Sequence, residues 1–217
     1  MLRDALAVGA ATGAYGLSFG VISTAAGLTV PQTAALSLLM FTGASQFALV
    51  GVLATGGGAI SAAATAILLG TRNAFYGLRL AAVLRTRGPR RLLAAQLVID
   101  ESTAMAVARG DERAARLAFW ATGTSVYVGW NLATVLGALG AHSLADPAVL
   151  GLDAAVPAAF LALLAPRLRD RSTWAPSAAA AVVALALTPI VPAGVPILAA
   201  AGVVVAMGLR TPRRGRS

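Results

Sequence analysis

Long apolar runs, separated by short polar or basic clusters, follow one another along the whole of this 217-residue chain. A helix that crosses a bilayer needs about 20 mostly apolar residues, fewer where it is broken. On that measure the pattern predicts segments at 5–28, 34–55, 59–84, 92–108, 115–141, 148–166, 173–191 and 195–209. Pro31 and Pro147 stand where helices can begin. The expected fold class is all-α: a polytopic membrane helical bundle of seven or eight membrane segments. It forms a single transmembrane domain over 1–210, with a basic cytoplasmic tail at 211–217.

Two of the apolar runs are interrupted. Thr71-Arg72-Asn73 lies in the middle of 59–84, where an arginine costs about 3 kcal/mol on insertion scales. Such a residue persists where protein, a water-filled cavity or a bound anionic group offsets that cost. The run from Ser177 to Leu209 is interrupted by Pro189, Pro192 and Pro196. An offset of 116 residues places Pro31 on Pro147, Leu36 on Leu152, Ser61 on Ser177, and Arg72-Asn73 on Thr188-Pro189. The expectation is therefore a two-half internal repeat with broken helices, halves 5–91 and 115–210, linked by 92–108. Interrupted segments at corresponding places in two halves point to a transporter site. Alanine-rich sequences match by chance, so the coincident interruptions weigh more than the identities.

Composition sharpens this picture. Hydrophobic residues make up 58% of the chain and charged ones only 12%, with a mean hydropathy of +0.80, well outside the range of a soluble domain. The net charge of +9 is carried by arginine alone, and the arginines flank apolar runs instead of lining one face. That placement fits positive-inside topology and sets nucleic acid aside as a partner. Basic clusters at Arg85–Arg91, Arg109–Arg116, Arg167–Arg171 and Arg210–Arg216 are expected inside, and the linker from His142 to Asp153 outside. Segment 92–108 conflicts with a simple crossing, because both of its flanks are basic. It is read as broken or re-entrant, the alternative being that one basic loop breaks the rule. The first apolar run is too long for a signal-peptide core and is read as a retained span.

Cysteine is absent, and the one histidine, His142, has no clustered Asp, Glu or Cys around it. Neither a metal site nor a cofactor is expected. No G-x-x-x-x-G-K motif occurs, which argues against ATP hydrolysis within this chain.

Three polar groups inside apolar runs could carry chemistry. Arg72 with Asn73, followed by Tyr76 and Gly77, offers a permanently charged fork suited to a carboxylate. The plainer alternative is that Arg72 lies nearer a membrane interface, or forms a structural bridge to Asp100 or Glu101. Asp100 and Glu101 themselves point about 100° apart on a helix and so face different partners. They could bind an ammonium or carry a proton, or lie solvated on an amphipathic surface helix. In Phe41-Thr42-Gly43-Ala44-Ser45-Gln46-Phe47, Gly43 and Ala44 permit close helix approach, whereas Ser45 and Gln46 supply neutral polar contacts. An amide in hydrocarbon needs partners, which favours a site-lining role for Gln46 over helix–helix packing alone. Asp153 is read as an ordinary solvated acid, and Tyr15, Gly16 and Gly20 as marks of close helix packing.

The early Gly16-Leu17-Ser18-Phe19-Gly20, the stretches FTGASQF at 41–47 and TRNAFYGLRL at 71–80, and Asp100-Glu101 resemble the AzlC-like, azaleucine-resistance family. The resemblance is close down to about Ala108; the second half is similar in length and hydropathy with few sharp motifs. It implies the large subunit of a permease that exports branched-chain amino acids (valine, leucine, isoleucine, or methionine) across the bacterial inner membrane. It also implies a small, separately encoded AzlD-like membrane partner. A zwitterionic amino acid would meet Arg72 and Asn73 at its carboxylate, Asp100 or Glu101 at its ammonium, and Phe41, Phe47 and Phe75 at its side chain. Two rival classes stand beside this reading. One is a structural or accessory membrane subunit without its own transport path. The other is an intramembrane hydrolase using Ser45 or the pair Asp100 and Asp153, for neither of which a catalytic context is recognisable.

Overall fold

A computed structural model describes residues 1–141, 161, 165, 168 and 171–210. Among them every regular element is an α-helix. In chain order these are α1 (Leu2–Ala25), α2 (Val30–Leu39), α3 (Ala44–Ala54), α4 (Ala59–Leu84), α5 (Pro89–Gln96), α6 (Asp100–Val107), α7 (Glu112–Gly140), α8 (Arg171–Leu187) and α9 (Val195–Arg210). One of these, α1, is long and apolar enough to cross a membrane by length and composition. The segment at 148–166, His142, Asp153 and the tail at 211–217 fall largely or wholly outside the described residues.

The spine of the fold is the contact between α1 and α7, the most extensive among the described residues. The two helices run in parallel: Gly9 faces Ser125, Gly13 faces Gly129, and Gly20 faces Thr134 and Gly137. Glycine is needed because backbone meets backbone. A Cβ on Gly16 would stand 2.6 Å from the Trp130 carbonyl oxygen, and one on Gly20 would stand 2.6 Å from the Ala138 nitrogen. Tyr15, read with Gly16 and Gly20 as a packing residue, is instead 45% exposed.

Segment 34–55 is not one helix. Thr29 caps α2, accepting from the Gln32 amide while the Gln32 side chain accepts from the Thr29 amide, and Pro31 sits in the first turn. The chain then breaks at Met40–Gly43. Gly43 has φ +61°, in the region that only glycine enters without strain, and α3 starts again from it. The two half-helices fold back on each other. The Gln46 side chain accepts from the Gly43 amide at 3.0 Å and donates to the Leu36 carbonyl, so positions 36 and 46 are neighbours. Descending α2 touches Thr134 of α7 through Ser37, then Tyr127 through Leu38, and Phe41 in the break meets the same Tyr127 ring. Ascending α3 passes Gly70 of α4 at Ser45 and returns to the level of Ser61 at Val52.

Segment 92–108 does the same from the opposite end. It breaks between Gln96 and Asp100, where the Ser102 hydroxyl receives the Ile99 amide and donates to the Leu97 carbonyl at 2.6 Å. Gln96 donates to the Leu38 carbonyl at 2.7 Å, joining the two hairpins near their tips. Both flanks of this segment then lie at one basic end of the bundle. There Arg85 pairs with Glu112 at 3.0 Å, Arg116 donates to the Val83 carbonyl, and Arg109 lies 3.8 Å from Asp4.

The interruption expected at Thr71–Asn73 is absent: α4 runs unbroken from Ala59 to Leu84. The Thr71 hydroxyl donates to the Leu68 carbonyl inside the helix, and arginine is a good helix former, so polarity alone does not break the backbone. The proline-rich interruption is present, ending α8 at Leu187 and starting α9 at Val195. Under the 116-residue offset the two interruptions therefore do not correspond, although the α1–α7 contact itself pairs residues 116 apart.

Candidate functional site

The two hairpin tips meet midway along α4 and α7, and a cavity of about 210 Å³ opens between them. Thr42, Gly43 and Ala44 come to it from the first hairpin, and Ile99, Asp100 and Glu101 from the second. Arg72 reaches it from α4, Thr12 and Tyr15 from α1, and Val126 and Trp130 from α7. The apolar wall is a cluster of rings. Phe47 and Trp130 line the cavity, and behind them the fully buried Phe19 meets Phe47 edge to face at 5.4 Å and stacks on Trp130 at 6.0 Å.

Arg72 is the polar centre of this cavity. Its Nη2 lies 2.8 Å from Asp100 Oδ2 and 3.5 Å from the Thr42 carbonyl oxygen, so one guanidinium ties both hairpin tips to α4. The structural bridge weighed from the sequence is thus present, and its partner is Asp100. Arg72 and Asp100 side chains are 29% and 32% exposed, so the pair faces open space on one side. Arg72 Nε is buried with no hydrogen-bond partner among the described residues.

Two half-helices begin at the cavity. The first amides of α3 have no acceptor within their own helix, at the start of α6 the Glu101 carboxylate accepts from its own amide, and each helix directs the positive end of its dipole at the space between them. Neither half-helix N-terminus is recognisable from hydropathy, because the breaks at Met40–Gly43 and Leu97–Ile99 are mostly apolar.

Of the seven residues singled out from sequence, Arg72, Asp100 and Glu101 line the cavity, and the other four do not. Gln46 is fully buried and braces the Gly43 turn, accepting from the Gly43 amide and donating to the Leu36 carbonyl. Ser45 is buried against Gly70, with its hydroxyl unpartnered among the described residues. Asn73, beside Arg72, turns elsewhere on α4, and its Oδ1 is likewise buried and unpartnered. Tyr76 packs against the apolar core. Sequence reasoning missed Thr12, Tyr15 and Trp130. An aromatic carrying a polar group in an apolar run was the one available signal.

A family model described as AzlC protein matches residues 7–144, a stretch that holds α1 through α7 almost entire and every residue lining the cavity. No curated protein and no solved structure matches the chain. The match spans well over half the sequence and all of the elements that build the site, and the chain therefore belongs to the AzlC family.

Proposed function

We propose that this chain is the large subunit of a secondary transporter that exports branched-chain amino acids from the bacterial cytoplasm together with a small AzlD-like membrane partner. The AzlC family is associated with branched-chain amino acid transport. The observation that carries the reading is the meeting of two half-helix hairpins, entering from opposite ends, around a cavity that combines Arg72, Asp100 and Glu101 with aromatic walls. An amino acid presents a carboxylate, an ammonium and an apolar side chain, and this cavity answers all three.

Irregular backbone at membrane depth is tolerated where it lines a cavity or is buried in protein. At about 1.5 Å per residue, α4 and α7 are about 39 and 44 Å long, enough to cross a hydrocarbon core of about 30 Å. In the polytopic arrangement proposed, α1, α4 and α7 cross, the two hairpins enter and return, and the basic end faces the cytoplasm. Serine hydrolase chemistry is disfavoured by the isolation of Ser45, whose hydroxyl has no base beside it among the described residues.

The test is efflux of labelled leucine from reconstituted vesicles, with and without the partner subunit. Substrate-dependent flux is expected with the partner present. Absence of flux under gradients of either direction overturns the proposal. Normal flux in Arg72→Ala with weakened assembly would assign the chain to the structural class instead.

A further inference from the structure

Resting on the amino acid reading above, the charge arrangement in the cavity divides the labour between the two acids. Asp100 is held by Arg72 at 2.8 Å, whereas Glu101 lines the same cavity and forms no ion pair among the described residues. The bridge neutralises itself, so the cavity keeps one carboxylate to answer a cation. We infer that Glu101 takes the ammonium of a zwitterionic substrate, and that the Arg72–Asp100 bridge stays closed beside it as the frame that joins the two hairpin tips to α4.

The assignment separates Glu101 from Asp100 functionally, although the two are adjacent in sequence.

The experiment uses the full chain in lipid nanodiscs and three probes: leucine, isoamylamine (leucine without its carboxylate) and isocaproate (leucine without its ammonium). Glu101→Gln removes the charge while keeping the shape. It is expected to weaken leucine and isoamylamine by about 10- to 100-fold and to leave isocaproate within about twofold, as for loss of a charged hydrogen bond. Asp100→Asn frees Arg72 and is expected to tighten isocaproate. Glu101→Asp restores part of the leucine affinity, and a melting curve on each variant identifies loss of fold. Isoamylamine binding that survives Glu101→Gln, or that is lost in Asp100→Asn instead, overturns the assignment while leaving the transporter reading intact. Failure of the wild-type protein to bind any of the three probes overturns both.

Discussion

The two hairpins, re-entrant in the proposed arrangement, make a prediction about sidedness that can be worked from helix lengths. α2 has 10 residues and α3 has 11. At about 1.5 Å per residue they are about 15 and 17 Å long, each half of a hydrocarbon core of about 30 Å. Laid end to end they would just cross, but the contacts of Gln46 with Gly43 and Leu36 fold them back. α5 and α6, with 8 residues each, are about 12 Å long and fall further short. The chain has no cysteine, so single cysteines can be introduced at exposed positions without background. Ala25→Cys and Thr55→Cys flank the first hairpin, and Arg87→Cys and Gly110→Cys flank the second. With sealed cells and an impermeant maleimide, Ala25→Cys and Thr55→Cys are expected to label from one side. Arg87→Cys and Gly110→Cys are expected to label only after the membrane is opened. Labelling of Ala25→Cys and Thr55→Cys from opposite sides would show that 34–55 crosses, and the hairpin geometry would be wrong.

A thermal double-mutant cycle on Arg72→Met and Asp100→Asn should show a coupling of about 1–3 kcal/mol, reduced from a fully buried pair because both side chains are about one-third exposed. Additive melting shifts would show that the bridge does not couple the hairpin to α4. Gly20→Ala places a methyl against the backbone of α7 and should destabilise by about 1–3 kcal/mol. Gly51→Ala, whose Cβ meets nothing within 4 Å, should instead stabilise by about 0.5–1 kcal/mol; equal shifts in the two variants would refute the close-packed spine. Asp111 caps α7, and hydrogen bonds from the Ala114 and Arg113 amides lower its pKa from the ordinary 3.8. A lowered folded-state pKa adds stability that is complete above about pH 3.8 and is lost as pH falls through the folded value. The melting difference between wild type and Asp111→Asn, which keeps the cap and loses the charge, should be flat from neutral pH downward and shrink only below about pH 4. A difference that already vanishes near neutral pH would refute the charged cap.

Sequence alone determined the helical class, the family and the acid–base vocabulary of the site, because each is written in single residues or in runs. Hydropathy counts apolar positions, and a chain that is 58% hydrophobic, with those residues in long runs, leaves helices as the fold. The conflict at 92–108 was also legible, since two basic flanks cannot lie on one side of a single crossing. The break at Gly43 was not, because glycine in an apolar run reads equally as a packing position. Polarity at Arg72 misled in the other direction, marking a break in a helix that is continuous.

Tertiary structure decided which polar groups share a cavity. Arg72, Asp100 and the Thr42 carbonyl are far apart in the chain and meet because two short hairpins stop at the same depth from opposite ends. It also parted neighbours: Gln46 and Asn73 stand beside cavity residues in sequence yet turn away from the cavity, since adjacent residues on a helix point about 100° apart. Periodicity along a chain fixes which face a side chain takes; only the packing of α1 against α7 and the depth of the two tips fixes what that face meets.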